Sequence, residues 1–307
     1  MQISDDIKIE RNMPSAVALG FFDGIHIGHR LVLNRCVELA KKNNLIPTVF
    51  TFNVGDSVPE SKKNLTLIHT SEQKNRIFED IGIEQIISPD FTDFKDFSPE
   101  EYIEKVLYKS LNAKILVCGR DHHFGKKGVA DVSFLKEYSK QFGIEVVTVD
   151  DAILDGAPVS STRIREAIKN GDVVLAERML GHSFSIEEPV INGRKIGRTI
   201  NFPTINQRFP EKFTILKYGV YFTEVECEHG HFCGVTNVGV KPTFNSNDLT
   251  CETYILDFNG DLYGKTVKIS FKRLLRKEQK FGTIDELRQQ ISKDIASARK
   301  ILSNENA

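Results

Sequence analysis

A change of periodicity near the middle of the chain constrains its fold more than any other feature. In the first half, strand-like runs alternate with helix-like ones. Val17-Ala18-Leu19-Gly20 reads as a short apolar strand, after which Leu33, Cys36, Val37 and Ala40 recur at helical spacing. Thr48–Phe52, Ile115–Cys118 and Glu145–Val149 read as further strands. Thr70 with Gln73, and Ser98 with Glu101 after a proline, carry the capping-box signature of a helix start. Another helix is expected near Ser133–Phe142, and two short ones broken at Asn170-Gly171-Asp172. Strand–helix alternation of this kind predicts an α/β domain, doubly wound around a parallel sheet with helices on both faces. From Phe184 the pattern becomes short β-like runs between Gly, Asn and Pro turns: Tyr218–Val225, Gly234–Val238, Glu252–Phe258 and Thr266–Phe271. That predicts an antiparallel barrel or sandwich. The chain ends in a helix capped by Thr283, with Ile284, Leu287, Ile291 and Ile295 expected along one face. The boundary is placed near 183, giving domains 1–182 and 183–307.

The 307 residues suffice for two ordinary cores. Lys plus Arg number 41 against 42 Asp plus Glu, a net charge of −1. That balance gives no reason to expect nucleic acid or a membrane surface as a partner. The N-terminus lacks the basic start and apolar core of a signal peptide, and no apolar run approaches the roughly 20 residues that span a bilayer. Five scattered cysteines without a C-x-x-C pair fit reduced thiols, so a cytoplasmic protein is expected. Cys227, His229, His231 and Cys233 form the one local metal-like cluster. A hairpin turning near His229–His231, with the cysteines on facing strands, explains it better than a zinc site with one-residue spacers.

Gly20-Phe21-Phe22-Asp23-Gly24-Ile25-His26-Ile27-Gly28-His29 links the first strand to the first helix. A strand running through a glycine turn into a helix points free backbone N–H groups at an anion. His26 and His29 are placed to stabilise charge developing on oxygens around phosphorus. Ser160-Ser161-Thr162-Arg163-Ile164-Arg165 opens a later helix with hydroxyls and guanidiniums, which suits a polyphosphate. Gly119-Arg120-Asp121-His122-His123-Phe124-Gly125 follows a strand end, where α/β sheets bind ligands. The first half therefore suits transfer of a nucleotidyl group.

The second half suits a kinase. Gly193-Arg194-Lys195-Ile196-Gly197-Arg198 is a glycine-basic loop, followed by Pro203-Thr204-Ile205-Asn206. Thr204 and Asn206 offer hard oxygen ligands for Mg²⁺ beside phosphates. Glu252 shares a strand face with Tyr254, Leu256 and Phe258, the side that reads as buried. A carboxylate on an apolar face should have a raised pKa and is a general-base candidate.

Taken together, the first set of motifs resembles the H-x-G-H nucleotidyltransferases, and in particular the adenylyltransferase half of prokaryotic FAD synthetases. The second set resembles the riboflavin kinase barrel: P-T-x-N, Asn237–Phe244, the strand of Glu252, Asp261–Lys265, and the closing Arg273-Leu-Leu-Arg276. The resemblance implies attack of the FMN phosphate on the α-phosphorus of ATP in the first domain. His26, His29 and Arg165 would be catalytic there. ATP contacts would fall at Gly20, Phe21, Asp23, Gly24, Gly28, Ser161 and Thr162, with Asp121 and Phe124 at the flavin. It implies phosphorylation of riboflavin in the second domain by Glu252, with nucleotide at Gly193, Gly197 and Arg198, Mg²⁺ at Thr204 and Asn206, and Arg276 at the flavin. ATP is the co-substrate of both steps. Asn201, Ile205, Glu188 and Tyr254 depart from the family pattern. Asn201 and Ile205 would crowd the nucleotide, which motivates one alternative to the bifunctional enzyme, an adenylyltransferase with an impaired kinase half; a non-catalytic flavin- or nucleotide-binding regulator is the alternative from another class.

Overall fold

The computed structural model of this chain describes residues 1–52, 65–193, 202–243 and 246–305. It divides into two compact units, Met1–Ser161 and Thr162–Ala307.

The first unit is built on β1 (Gln2–Ser4), β2 (Ser15–Leu19), β3 (Ile46–Phe50), β4 (Gln85–Ile87), β5 (Ala113–Gly119) and β6 (Glu145–Val149). They form one sheet in the order β1-β4-β3-β2-β5-β6, and every neighbouring pair is parallel. Strand alternation sorts the core into two layers. Ala16 and Ala18 face a cluster with Leu33, Cys36 and Val37 of α1 (Ile27–Asn43) and Phe78 of α2 (Ser71–Ile81). Val17 and Leu19 face a cluster with Tyr102, Ile103 and Val106 and with Leu135 of α4 (Val132–Ser139). Helices cover both faces, as the alternation predicts. Both capping boxes are present, at Thr70/Gln73 and at Ser98/Glu101. The second opens α3 (Pro99–Glu101), which continues as a π-helical stretch Tyr102–Ser110 ending in a hydrogen bond from Leu111 N to Val106 O. A small hairpin of β7 (Ile153–Leu154) and β8 (Ala157–Pro158) precedes α5 (Ser161–Asn170) and α6 (Val173–Leu180), which break where the sequence predicts.

The second unit is a nearly closed antiparallel barrel. It comprises β9 (Ser185–Pro189), β10 (Ile205–Arg208), β11 (Gly219–Cys227), β12 (Gly230–Thr243), β13 (Ser246–Ile255) and β14 (Thr266–Lys277), in the order β10-β13-β12-β11-β14-β9. Its two edges meet where Ile191 N donates to Asn206 O at 2.8 Å. Gln207, fully buried, extends that closure by donating from Nε2 to the carbonyls of Glu188 and Val267 at 2.6 and 2.7 Å. The interior is partly polar: Thr236 links Thr223 and Thr253 through hydroxyl contacts of 2.8 and 2.9 Å. α7 (Ile284–Glu305) packs Ile295, Ala298 and Ile301 over Val220, Phe222 and Val235. Ile284, expected on that face, is instead 63 % exposed, because the first turn of α7 projects beyond the apolar patch. α6 packs with the barrel through Glu177, which accepts from Lys272 Nζ at 2.6 Å on β14.

The hairpin between β11 and β12 also differs from expectation. Its register pairs Cys227 with Gly230 and Glu224 with Cys233, so the two cysteines stand on facing strands as expected, while the turn lies at Glu228-His229. Gly230 takes φ 118°, a conformation that other residues rarely adopt, and this fixes the turn one step earlier.

Candidate active sites

In the first unit the chain reverses direction between β2 and β5. β3 and β4 follow on one side of β2, and β5 and β6 on the other, so the carboxyl ends of β2 and β5 flank the sheet's topological switch point, where open parallel sheets bind ligands. Both N-terminal motifs emerge there.

The segment after β2 is tightly specified. Gly24 has φ 87°, and Phe22 and Ile25 have φ 53° and 35°, positions that cost a non-glycine residue strain. Phe22 and Ile25 are locked by burial. Asp23 is buried too, its Oδ1 accepting from Ile68 N at 3.0 Å and its carbonyl from Ser161 Oγ at 2.8 Å. Phe21 O accepts from Thr51 Oγ1 and Lys74 Nζ, each at 3.0 Å. His26 is the N-cap of α1, its Nδ1 accepting from His29 N at 3.2 Å. The two imidazoles stack with centroids 3.6 Å apart and planes 16° apart. Gly28 keeps this packing relaxed, since a Cβ there would lie 3.2 Å from His26 Nδ1 and press on the imidazole. At Gly20 a Cβ would meet the Phe22 ring at 2.9 Å. Phe22 in turn sets its ring edge-on to His29 at 5.3 Å.

The structure thus brings Gly20, Phe21, Asp23, Gly24, His26, Gly28, His29 and Ser161 together around one turn. Ser161 begins α5, with Thr162 exposed and Arg165 8 % exposed one turn further on. The Ser161 hydroxyl is engaged by the Asp23 carbonyl, so what it offers a phosphate is backbone N–H. At the end of β5, Asp121 is exposed and Phe124 is 6 % exposed, its ring in the core cluster against Tyr102 at 5.5 Å. His122 lies parallel to Phe124 at 6.0 Å, and burial pushes its imidazole pKa down to about 4, against the opposing effect of Asp121.

The barrel site is a cross-strand row. Asn206 on β10 stands opposite Glu252 on β13, which stands opposite Asn237 on β12. Directly opposed residues share a face, so one carboxylate lies between two amides. Gly193 backs this row: a Cβ there would fall 2.5 Å from Asn206 Nδ2. Thr204 sits just before β10. Glu252 shares its face with Tyr254, which packs against the apolar cluster beneath α7. The fully buried face of β13 is Cys251 and Thr253, and the strand ends at Ile255, with Asp257 at φ 56° breaking the alternation before Phe258. Glu252 itself is half-buried, flanked by the two amides within a face that is otherwise partly apolar.

Arg276 stands further along the same row, opposite Val220, which is opposite Asn237. Three strand spacings, about 14 Å, separate it from Glu252. Its guanidinium makes a two-point pair with Asp294 of α7, at 3.0 and 2.9 Å. Gly197, Arg198 and Asn201 lie outside the described residues.

Sequence reasoning missed Lys74 and Thr51, and took Asn237 only as the start of a motif, with no place beside Glu252. For Lys74 a signal existed: it precedes the fully buried Phe78 by four residues, on the stripe of α2 that faces the core.

A family model described as FAD synthetase matches residues 8–163, and one described as riboflavin kinase matches residues 180–302. The bifunctional riboflavin kinase/FMN adenylyltransferase of Haemophilus influenzae is 34 % identical over 94 % of this chain and 94 % of its own. That of Bacillus subtilis is 34 % identical over 96 % of this chain and 95 % of its own. The chain belongs to the bifunctional riboflavin kinase/FMN adenylyltransferase family. A Streptococcus pneumoniae protein whose crystal structure is described as that of a macrolide-efflux protein superposes on this family member with a TM-score of 0.87. It is 30 % identical and is matched over 97 % of this chain and 98 % of its own. Among the described residues of this family member, no helix is long and apolar enough to cross a membrane.

Proposed function

We propose that this chain makes FAD from riboflavin in two ATP-dependent steps, phosphorylation by residues 183–307 and adenylylation by residues 1–182. The single observation that carries this reading is the pairing of motifs with architecture. One chain sets a stacked His26–His29 pair at the switch point of a parallel sheet, and sets Asn206 opposite Glu252 on a barrel.

In the barrel, Glu252 takes the proton of the riboflavin 5′-hydroxyl as that oxygen attacks the γ-phosphorus of ATP, and ADP leaves. The amides on either side hold the carboxylate in register. Thr204 and Asn206 fit a hard cation: their donors are a hydroxyl and an amide oxygen, and Gly193 leaves the space beside Asn206 that a side chain would fill. Mg²⁺ held there would neutralise charge on the β- and γ-phosphates. Gly193, Gly197 and Arg198 border the nucleotide, and Arg276 closes the far end of the row toward the flavin.

In the first unit the nucleophile is already an anion, the FMN phosphate, so no base is needed. It attacks the α-phosphorus of ATP, the bond to the β-phosphate oxygen breaks, and pyrophosphate leaves. His26 and His29 donate to the oxygens on which charge develops. The start of α5 with Thr162 and Arg165 receives the pyrophosphate. Asp121 and Phe124 border the flavin, Phe124 through the rim of a ring otherwise held in the core. Five free cysteines and a requirement for ATP support a cytoplasmic location.

The test is to incubate the full chain with riboflavin, ATP and Mg²⁺, with a parallel reaction started from FMN, and to resolve the flavins by chromatography. FMN followed by FAD is the expected result. FAD from FMN alone would make the barrel a binding module, and no product from either start would overturn the proposal.

A further inference from the structure

We propose that Lys74, on α2, is a positioning residue for adenylyl transfer: it clamps the Phe21 carbonyl and thereby sets the course of the turn that aims His29 and His26. The inference rests on the adenylyl-transfer reading above.

The connection runs through consecutive contacts. Lys74 Nζ donates to Phe21 O at 3.0 Å, joined by Thr51 Oγ1 on the same oxygen. A carbonyl held by two donors fixes the peptide plane between Phe21 and Phe22, and with it the φ of Phe22. That φ is 53°, a value the residue does not hold without outside restraint. One turn further along α2, Phe78 meets the Phe22 ring edge-on at 5.9 Å, so the helix grips two successive residues of the turn. Phe22 meets His29, and His29 stacks on His26. The grip is rigid because α2 has a complete capping box at Thr70/Gln73 and a left-handed Gly82 at its other end.

A lysine in this position is chemically unusual. Burial lowers its pKa to about 8, with the Asp23 carboxylate opposing the shift. An aliphatic residue would cost less to bury, yet could not hold the carbonyl. Among the described residues, the charged group acting on the amine is Asp23; Asp5 lines the same cavity as Lys74, as do Thr51 and Ser88 just past the ends of β3 and β4, which do not titrate in this range.

Lys74→Met and Lys74→Arg, made in the full chain, separate positioning from folding when their urea unfolding is compared with wild type, since riboflavin phosphorylation by the same molecules reports on the C-terminal unit alone. For Lys74→Met we expect FAD formation from FMN to fall about 100-fold in kcat, the scale of a small misplacement of reacting groups, with little change in KM for FMN. Lys74→Arg restores the rate to within about tenfold. Arginine stays charged at all these pH values, whereas above pH 8 Lys74 loses its proton and holds the carbonyl through a weaker, neutral N–H donor. A Met variant with an unchanged rate overturns the inference. So does an Arg variant that fails to restore it. If the wild type makes no FAD at all, the functional reading has failed instead. The clamp is then tested by the imidazole NMR signals of His29, which Lys74→Met must shift and Lys74→Arg must leave in place.

Discussion

His26 and His29 are joined twice: the Nδ1 of His26 accepts the backbone N–H of His29, and the two rings lie face to face at 3.6 Å. With Nδ1 accepting, a neutral His26 carries its proton on Nε2, the nitrogen turned away from the helix it caps. Capping and phosphate chemistry thus use opposite sides of one ring.

That division predicts what His26→Asn does. Asparagine is among the best N-caps, so α1 keeps its start and the melting temperature stays close to wild type. FAD formation falls by about 10²- to 10³-fold, the cost of losing one donor to a developing anion. His26→Ala loses the cap as well, at about 1 kcal/mol. Differential scanning calorimetry beside a rate assay distinguishes the two.

Glu252→Gln keeps the shape and hydrogen bonding of the Asn206–Glu252–Asn237 row but removes the base. FMN formation from riboflavin falls by at least about 100-fold, while FAD formation from added FMN is unchanged. Following both products in one reaction checks this.

Asp294→Ala strands the Arg276 guanidinium, only 20 % exposed, without the carboxylate that it grips at two points. Breaking a buried pair in this way costs roughly 3 kcal/mol. Because Asp294 belongs to the helix that covers Val220 and Phe222, the loss should appear as earlier urea unfolding of the C-terminal unit.

His122 predicts an acid limb. Its folded pKa, about 4, lies below the ordinary value, so the unfolded chain binds a proton first as pH falls. Its contribution to stability is complete above about pH 6.5 and is lost as pH falls toward about 4. His122→Phe, which keeps a ring against Phe124, should therefore unfold less readily than wild type at pH 5 and equally at pH 8. Urea titrations at the two pH values test it.

Much of the architecture is legible in the residues because its rules are local. Thr70 with Gln73 and Ser98 with Glu101 mark helix starts through bonds three residues long. Val17 and Leu19 separate from Ala16 and Ala18 by simple alternation. Errors arise where a local pattern is carried past the end of its element. Extending the alternation of β13 through Leu256 and Phe258 overran the strand, which ends at Ile255 with the left-handed Asp257 beyond it, and it is Cys251 and Thr253 that are fully buried. Extending the stripe of α7 back to Ile284 overran the sheet beneath it. Lys74 escaped for a different reason: its partner is a backbone carbonyl 53 residues away, and main-chain acceptors leave no mark in side-chain spacing.

The barrel is fastened at Ile191 and Asn206, with Gln207 strapping the same strand from inside. Asn206 is also where the metal-bound nucleotide is proposed to rest, with Gly193 on the opposite border of the join. A ligand seated there acts as a clasp across the last row to zip. Because it would bind only the closed seam, a ligand seated there would resist opening of the barrel by mass action.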